Sequence, residues 1–537
     1  MTKSKKKAEI FATAESKENP VQIISINAHE NKAYITDFDN ISSSSGVSSI
    51  EEKENDIKEE QKKPSVETER KDAHKDVQMK KSLNLLHCIA IMIAVTGHSS
   101  VFISPTAILK ASGSVGASLV VWLVGGLINM MLALCYAELG TMLPKAGGPY
   151  AYVMRTFGPL PGFLILWGYV VLISGPFWAF LAYTAALYIF QPFFPDCEAP
   201  ETAVKILAGW IMITFVAINC VYMKYVTKVQ TLLSSTKVLA LGIIIVTGII
   251  NLTQGNTDNF QNPFEGTTEE PGQFAVAIFY SIFSYGGWQV MTTLMEEVKR
   301  PEKDLPRSVY ISMTAVIIKY VMANVAYFTV MTPSEVISSN AITLIYIQRV
   351  YKPLSAVISV FVALTSIGAL NASIMGHSRL LFAGARVGHM PLILGMIHRK
   401  YLTPWPAIMI LLAWGLVMLY TGGVTDMMEF ISLFSTIMGI AVVLSLLYLR
   451  WKKAKERRPY KTMWFVPISM LIVNIAALVL AIYQKPHKMG IGLAILFAGI
   501  PIYWFGVLWN PKPQPFKELI EWLTEMAQRI LLIEKTS

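Results

Sequence analysis

The most regular feature of this chain is an alternation of apolar and polar stretches that begins near residue 83. Twelve apolar runs follow one another, and each is long enough to cross a hydrocarbon core of about 30 Å. Because backbone polar groups in lipid must be satisfied within each segment, every run is predicted to be a helix. The predicted spans are 83–109, 117–138, 159–191, 203–220, 230–251, 274–295, 308–331, 354–374, 405–421, 427–449, 463–483 and 489–509. The predicted fold class is therefore an all-α polytopic membrane protein with twelve transmembrane helices.

The composition supports this class. Hydrophobic residues make up 53% of the 537 residues and charged residues only 15%, against roughly a quarter in soluble proteins. The net charge of +10 is therefore not evidence for binding of nucleic acid. The distribution of the basic residues among the loops matters more, because it indicates the orientation in the membrane. The short loops on one side hold about 19 lysines and arginines, and those on the other about 6. This asymmetry predicts that both termini are cytoplasmic.

The two ends of the chain differ from the apolar middle. Residues 1–79 are polar and lack the apolar stretch of a signal peptide, so we expect a disordered cytoplasmic tail. The membrane domain is predicted at 80–510 and a cytoplasmic C-terminal tail at 511–537. Within that tail, 516–535 has the pattern of an amphipathic helix. It is expected either to lie along the inner leaflet of the bilayer or to pack beneath the protein.

Two predicted spans are interrupted near their middle. The first contains "AVTGHSSVFISPT" at 94–106, and the sixth contains Gly286-Gly287. A half-helix after a break presents a positive dipole end that suits a carboxylate, and the half-helix before it ends in carbonyls that suit an ammonium group. If the chain consists of five helices, five more and a final two, the breaks fall at matching positions and predict a midplane site for an α-amino acid. The alternative is that the glycines only permit close helix packing.

Several motifs resemble one known family. The stretches "FISPTAILK", "ALCYAELGTMLPKAGGPYAY", "SYGGW", "EEVKRPEKDLPRS" and "SRLLFAGARVGHMP" are similar to those of the light chains of heteromeric amino-acid transporters, in the amino acid–polyamine–organocation superfamily. The resemblance runs from about 83 to about 510. It implies a 5+5 inverted repeat plus two helices, with helices one and six broken at mid-membrane. It also implies sodium-independent exchange by alternating access at the plasma membrane, and a disulfide to a single-spanning glycoprotein heavy chain.

The predicted substrate-binding residues surround the two breaks. They are Thr96, His98, Ser99, Ser100, Val101, Phe283, Gly286, Gly287 and Trp288. No catalytic residue, metal ion or cofactor is predicted, because the chain has no HExxH motif, nucleophile elbow or phosphate-binding loop. The expected partners are the heavy chain, the substrate and the lipid bilayer.

Two further residues are singled out by their position. Cys197, in "FPDCEAPE", is predicted to lie in an outside loop, where a cysteine is either a free thiol or pairs with another chain. The resemblance favours a disulfide to the heavy chain. Lys237 lies in the fifth span, where a charge is costly and is expected to have a role. It either extends its ammonium to the inner surface or, as the resemblance implies, replaces a coupling cation between spans one and eight.

The second break also bears on selectivity. A cationic substrate would need a carboxylate near it, but the stretch 286–289 reads "GGWQ" and contains none. The resemblance to L-type carriers therefore indicates large neutral amino acids. Phe283 and Trp288 would offer apolar surface to the substrate, although both could serve only helix packing. The alternatives are a carrier that also accepts cationic amino acids, and a membrane sensor that binds an amino acid without moving it.

The first break departs from the family, in which Gly-Ser-Gly precedes Ile-Phe. This chain has His98-Ser99-Ser100 there, so two flexible glycines are replaced. Gly97 just upstream can supply one flexible point, and serines are good helix N-caps. His98 has three interpretations: an inert packing partner, a side chain that narrows the pocket, or a titrating group that makes activity depend on pH.

Overall fold

The computed structural model describes residues 83–143, 147–194, 199–221, 223–293, 295, 298–339, 341–509 and 512–535. The predicted N-terminal tail at 1–79 and Cys197 lie outside these residues. The disulfide predicted for Cys197 therefore stays a prediction.

The described part of the chain is mostly helical. Its α-helices, in chain order, are α1 (Leu85–Val95), α2 (Ser104–Ser112), α3 (Val115–Met142), α4 (Gly148–Phe157), α5 (Pro159–Gly168), α6 (Gly175–Phe190), α7 (Glu201–Val221), α8 (Met223–Thr253), α9 (Pro271–Ser284), α10 (Val290–Thr293), α11 (Pro301–Phe328), α12 (Pro333–Ser338), α13 (Ile342–Tyr351), α14 (Ser355–Arg386), α15 (Trp405–Thr421), α16 (Val424–Lys452), α17 (Phe465–Gln484), α18 (Pro486–Phe497), α19 (Gly499–Tyr503) and α20 (Gln514–Leu531). Short 3₁₀ turns and two π-helical stretches, Tyr169–Ser174 and Trp504–Leu508, connect some of them.

The length and composition of the helices are those of a polytopic membrane protein. Among the described residues, nine helical segments are long and apolar enough to cross a membrane. Three further apolar helices are shorter: α1, α9 and α15. Two of these three, α1 and α9, are the segments in which the sequence predicted an interruption.

The distribution of side chains is also that of a protein in lipid. Large apolar side chains face outwards, such as Trp210 (64% exposed) and Ile472 (63% exposed), while amide side chains such as Asn129 and Asn371 are buried. Burying a polar group requires a hydrogen-bond partner. Asn371 has one in Asn219, whose amide nitrogen donates to it over 2.7 Å. Polar contacts between helices therefore lie inside the bundle, and the apolar faces are left for the bilayer.

The eighth predicted span ends later than the sequence indicated. The prediction stopped at 374, but α14 continues to Arg386. The extra turns are helical because their polar side chains are buried against neighbouring helices; His377 and Ser378 are both buried. The segment packs against α6, so tertiary contact outweighs the local polarity of the sequence.

The C-terminal tail takes part in the two-stranded sheet of the described chain. The helix predicted to reach 535 ends at Leu531, and Leu532 adopts a left-handed conformation with φ 49°. Residues Ile533–Lys535 (β2) then pair antiparallel with Met396–His398 (β1), with Ile397 opposite Glu534. Arg399 adds an ion pair with Glu534. The tail is thus attached to the loop before α15, and α20 leaves exposed apolar side chains on one face, including Leu519, Leu523 and Ile530.

Candidate functional site

The two interruptions meet in space. The first separates α1 from α2 by turn residues 96–99 and a 3₁₀ turn, Ser100–Phe102, and the second separates α9 from α10 by the turn at 285–289. The Gly97 N–H donates to the Gly286 carbonyl oxygen over 2.7 Å. Ser100 Oγ lies 3.2 Å from the Ser284 carbonyl oxygen and 2.9 Å from that of Gly97. Non-helical backbone from two distant parts of the chain therefore forms one candidate site.

Glycine is required at two positions of this site. Gly97 has φ 74°, and a Cβ there would lie 1.7 Å from the hydroxyl oxygen of Tyr320. Gly287 has φ 104°, and its Cβ would lie 2.5 Å from the Val95 carbonyl oxygen and 2.6 Å from Cε1 of His98. Both positions combine a left-handed backbone with a close approach, which only glycine tolerates without strain.

Replacing Gly97 by alanine is therefore expected to disrupt the first break. The left-handed backbone alone costs about 1–2 kcal/mol for a residue with a side chain, and Tyr320 must also move away. We expect Gly97→Ala to lower the midpoint temperature of unfolding and to lower amino-acid uptake by at least about tenfold. The matched control is Gly242→Ala in α8, where a Cβ meets nothing within 4 Å. Equal behaviour of the two variants in thermal unfolding and uptake would contradict the assignment.

The first break also leaves polar groups available. Among the hydrogen bonds of the described residues, none is donated by the backbone N–H groups of Ser99, Ser100 or Val101. These groups open the turn that leads into α2. The hydroxyls of Thr96 and Ser99 are buried and have no hydrogen-bond partner in the described chain. Unsatisfied donors at the start of a helical segment form a place suited to an anionic group.

Lys237 binds the end of α1. Its side chain is 1% exposed, and its Nζ donates to the carbonyl oxygens of Ala94 (3.3 Å) and Thr96 (2.5 Å). The hydroxyl of Tyr320 donates to the same Thr96 oxygen over 3.2 Å. Next to Lys237, Thr236 Oγ1 lies 3.0 Å from Thr365 Oγ1 on α14. The Lys237 ammonium group therefore donates to carbonyl oxygens freed by the break, and it lies beside a contact between α8 and α14.

The predicted aromatic residues differ in their surroundings. Phe283 is buried, with its ring centroid 5.0 Å from that of Phe180. Trp288 donates its indole N–H to Asn129 Oδ1 over 3.1 Å and packs edge-on against Tyr136. Its hydrogen bond and its ring contact are thus both made with α3. Val101 is fully buried beside the break.

His98 lies between the two breaks. Its backbone has φ 31°, which is uncommon for a residue other than glycine. Its ring lies against Gly287 and packs edge-on against Phe177, with 4.3 Å between ring centroids. Sequence reasoning did not identify Phe177, Tyr320 or the buried His377 as neighbours of the site. The available signal was that polar residues inside apolar spans usually face the bundle interior.

A buried carboxylate near the sixth segment is already neutralised. Glu429 on α16 accepts a hydrogen bond from the hydroxyl of Tyr280 on α9 over 2.9 Å. It also forms an ion pair with Lys485 and lies 3.9 Å from Nζ of Lys488. Its Oε2 has no hydrogen-bond partner in the described chain, but the two lysines already balance its charge.

Comparison with known proteins identifies the family. The family model described as amino acid permease matches residues 83–507. The human large neutral amino acids transporter small subunit 2 is 37% identical over 466 residues, covering 85% of this chain and 86% of that protein. The human cystine/glutamate transporter is 35% identical, with 87% and 93% covered, and the human Asc-type amino acid transporter 1 is 35% identical, with 86% and 89% covered. The resemblance to light chains of heteromeric amino-acid transporters is confirmed. The chain belongs to the amino acid permease family and is a membrane transporter of amino acids, not an enzyme.

Proposed function

We propose that this chain is a sodium-independent exchanger of neutral, large L-amino acids that works as the light chain of a disulfide-linked heterodimer. Twelve spans, arranged as a 5+5 inverted repeat plus two, place both termini in the cytoplasm at the plasma membrane, and the two breaks lie at mid-membrane. The observation that supports this most is the direct hydrogen bond between Gly97 and Gly286, because it makes one site from the two interruptions.

The polar groups at the breaks suit the two charged ends of an amino acid. The carboxylate binds the N–H groups of Ser99, Ser100 and Val101, at the positive end of the segment that continues into α2. The ammonium group binds carbonyl oxygens at the end of α9. Each carbonyl oxygen has two lone pairs, so the oxygens of Ser284 and Gly286, which already accept one hydrogen bond, can accept another.

The lysine supports independence from sodium. A coupling cation would bind carbonyl oxygens freed by the first break. Lys237 Nζ already donates hydrogen bonds to two of these oxygens, those of Ala94 and Thr96. Since the covalently held ammonium supplies the charge, no dissolved cation is required. During alternating access, α1 and α9 rearrange around the substrate while Lys237 keeps the end of α1 attached to α8.

The selectivity for neutral substrates rests on the absence, among the described residues, of an unpaired acid at the second break. Glu429, the buried carboxylate beside α9, is paired with Lys485. A cationic side chain would therefore enter without a counter-ion, which is costly in an apolar site. Phe283 supplies apolar surface, and one relative is named for large neutral amino acids. Another relative is named for cystine and glutamate, so the family as a whole does not determine the substrate.

The heavy-chain partner rests on the resemblance and on Cys197. One relative is named as a small subunit, and the sequence places Cys197 in an outside loop. A single-spanning glycoprotein joined there would leave the transporter domain free to change conformation.

Uptake competition tests the proposal. The full chain, expressed with and without an amino-acid-transporter heavy chain, should take up labelled leucine without sodium, and only with the heavy chain at the cell surface. Of leucine, alanine and arginine, we expect unlabelled leucine to compete best, alanine less, and arginine least. Strongest competition by arginine would contradict the neutral assignment, and leucine uptake that requires sodium would contradict the role of Lys237.

A second candidate function is an amino-acid sensor that binds without transport. The observation that favours it is His98, whose ring lies between the two breaks, in space that a moving substrate would need. Binding of leucine without flux in proteoliposomes that contain the heterodimer would decide for the sensor.

A further inference from the structure

A second histidine lies beside the site on α14. The ring of His377 is 5.2 Å from that of Tyr169, 6.0 Å from Phe177 and 6.3 Å from Trp178, measured between centroids. Phe177 is also the ring that His98 contacts, so one phenyl group connects the two imidazoles. We call His98, Phe177, Trp178, Tyr169 and His377 the histidine–aromatic cluster. It lies where Tyr169–Ser174 is π-helical, a local irregularity that is frequent at functional sites.

The cluster contains polar atoms without partners. His377 is 9% exposed, and its Nδ1 is buried with no hydrogen-bond partner in the described chain. Trp178 is fully buried, and its indole N–H is likewise unpartnered among the described residues. His98 is half-buried, and its ring makes no hydrogen bond within the same residues. Native proteins rarely leave buried atoms such as His377 Nδ1 and the Trp178 indole nitrogen unsatisfied, which indicates that a ligand supplies their missing hydrogen bonds.

The ionic surroundings define the chemistry of this ligand. No carboxylate forms an ion pair with either histidine in the described chain. Both imidazoles are therefore neutral, because an unpaired charge in apolar surroundings is costly. A neutral imidazole presents one N–H donor and one nitrogen acceptor. Two of them together complement a group that both accepts and donates, while an aliphatic group would leave them unsatisfied.

We propose that His98 and His377 bind the side-chain amide of the substrate, so that this transporter prefers asparagine and glutamine among neutral amino acids. The inference rests on the proposed function, since the amide reaches the cluster only if the amino-acid backbone binds at the two breaks. The amide oxygen accepts from one imidazole N–H, and the amide nitrogen donates to the ring nitrogen of the other. The phenyl group of Phe177 packs along the aliphatic part of the side chain.

Asparagine and leucine provide the matched pair for the test, because their side chains have nearly the same shape and differ in polarity. We expect asparagine to inhibit uptake by the heterodimer at about tenfold lower concentration than leucine. His377→Phe keeps a ring between Tyr169 and Trp178 and removes both nitrogens. This variant should lose the preference for asparagine while its affinity for leucine is unchanged or higher. His389→Phe is the control, since His389 bonds to Tyr150 elsewhere and the ratio of the two affinities should not move.

The outcomes separate this inference from the proposed function. If the heterodimer prefers leucine to asparagine, the inference is overturned and the proposed function remains. The same holds if a folded His377→Phe variant loses affinity for asparagine and for leucine equally. If nothing is taken up, stabilisation of the detergent-purified protein against heat by each amino acid replaces uptake as the readout. Stronger stabilisation by asparagine than by leucine, lost in His377→Phe, then supports the inference without transport. If His377→Phe does not fold, His377→Gln serves instead, and an unchanged ratio of affinities in that variant overturns the inference.

Discussion

Replacing Lys237 by methionine will lower amino-acid uptake by about a hundredfold or more. Methionine has a similar length but no ammonium group, so in the apolar interior the Ala94 carbonyl oxygen loses its donor and the Thr96 carbonyl oxygen keeps only the hydroxyl of Tyr320. An unsatisfied buried carbonyl costs about 1–3 kcal/mol, and 1.4 kcal/mol corresponds to a factor of ten. The end of α1 would also lose its attachment to α8. Initial rates of leucine uptake in proteoliposomes, corrected for the amount of folded protein, provide the measurement.

Lys319 provides the matched control for this prediction. It is also a lysine within an apolar helix, but its Nζ is buried without a hydrogen-bond partner in the described chain and lies 5.2 Å from the ring centroid of Tyr320. Lys319→Met removes a second ammonium group without removing a donor to α1, and is expected to change uptake little. Equal losses in the two variants would show that the positive charge of this region matters and that the contacts of Lys237 with α1 do not.

Replacing Glu138 by glutamine will destabilise the protein by about 3–5 kcal/mol, the usual loss when one partner of a buried ion pair is removed. Glu138 lies near the end of α3 and is fully buried. All of its partners are donors: the guanidinium of Arg450 (2.9 Å from Nε), and the N–H and hydroxyl of Thr462 (2.8 Å each). A glutamine NH₂ group would face these donors, and Arg450 and Arg458 would be left without their counter-ion.

Thermal unfolding of the detergent-purified heterodimer measures this effect. Glu302→Gln is the control, because Glu302 pairs with Arg457 over 3.7 Å and both side chains are well exposed. Exposed pairs contribute less than about 1 kcal/mol, so the control should unfold at nearly the temperature of the unmodified protein. If Glu138→Gln unfolds at that temperature too, the buried network does not hold α3 to α16.

The sequence was informative wherever a residue type was unusual for its surroundings. A histidine and two serines after Gly97 lie between α1 and α2, and two adjacent glycines in the sixth segment lie between α9 and α10. Lys237 was singled out because a charge is rare in an apolar helix. What the sequence could not provide was the partner that each side chain contacts. Trp288 and Asn129 are 159 positions apart, and no local pattern encodes their hydrogen bond.

His377 illustrates the opposite case. It lies beyond the predicted end of the eighth span at 374, outside every predicted span. Burial against α6 extends the helix and brings His377 into the aromatic cluster. The strand Ile533–Lys535 was missed for a related reason, since its apolar and polar residues continue a helical pattern and only the left-handed Leu532 ends the helix.

The central claim is that the main chain of the first and sixth segments binds the charged groups of an amino acid. A cryo-electron microscopy structure of the heterodimer with saturating leucine examines this directly. The ligand carboxylate should lie about 3 Å from the N–H groups of Ser99–Val101, and its ammonium group should face the carbonyls at the end of α9. Leucine bound elsewhere, with unbroken helical backbone through 94–101 and 284–290, would contradict the account.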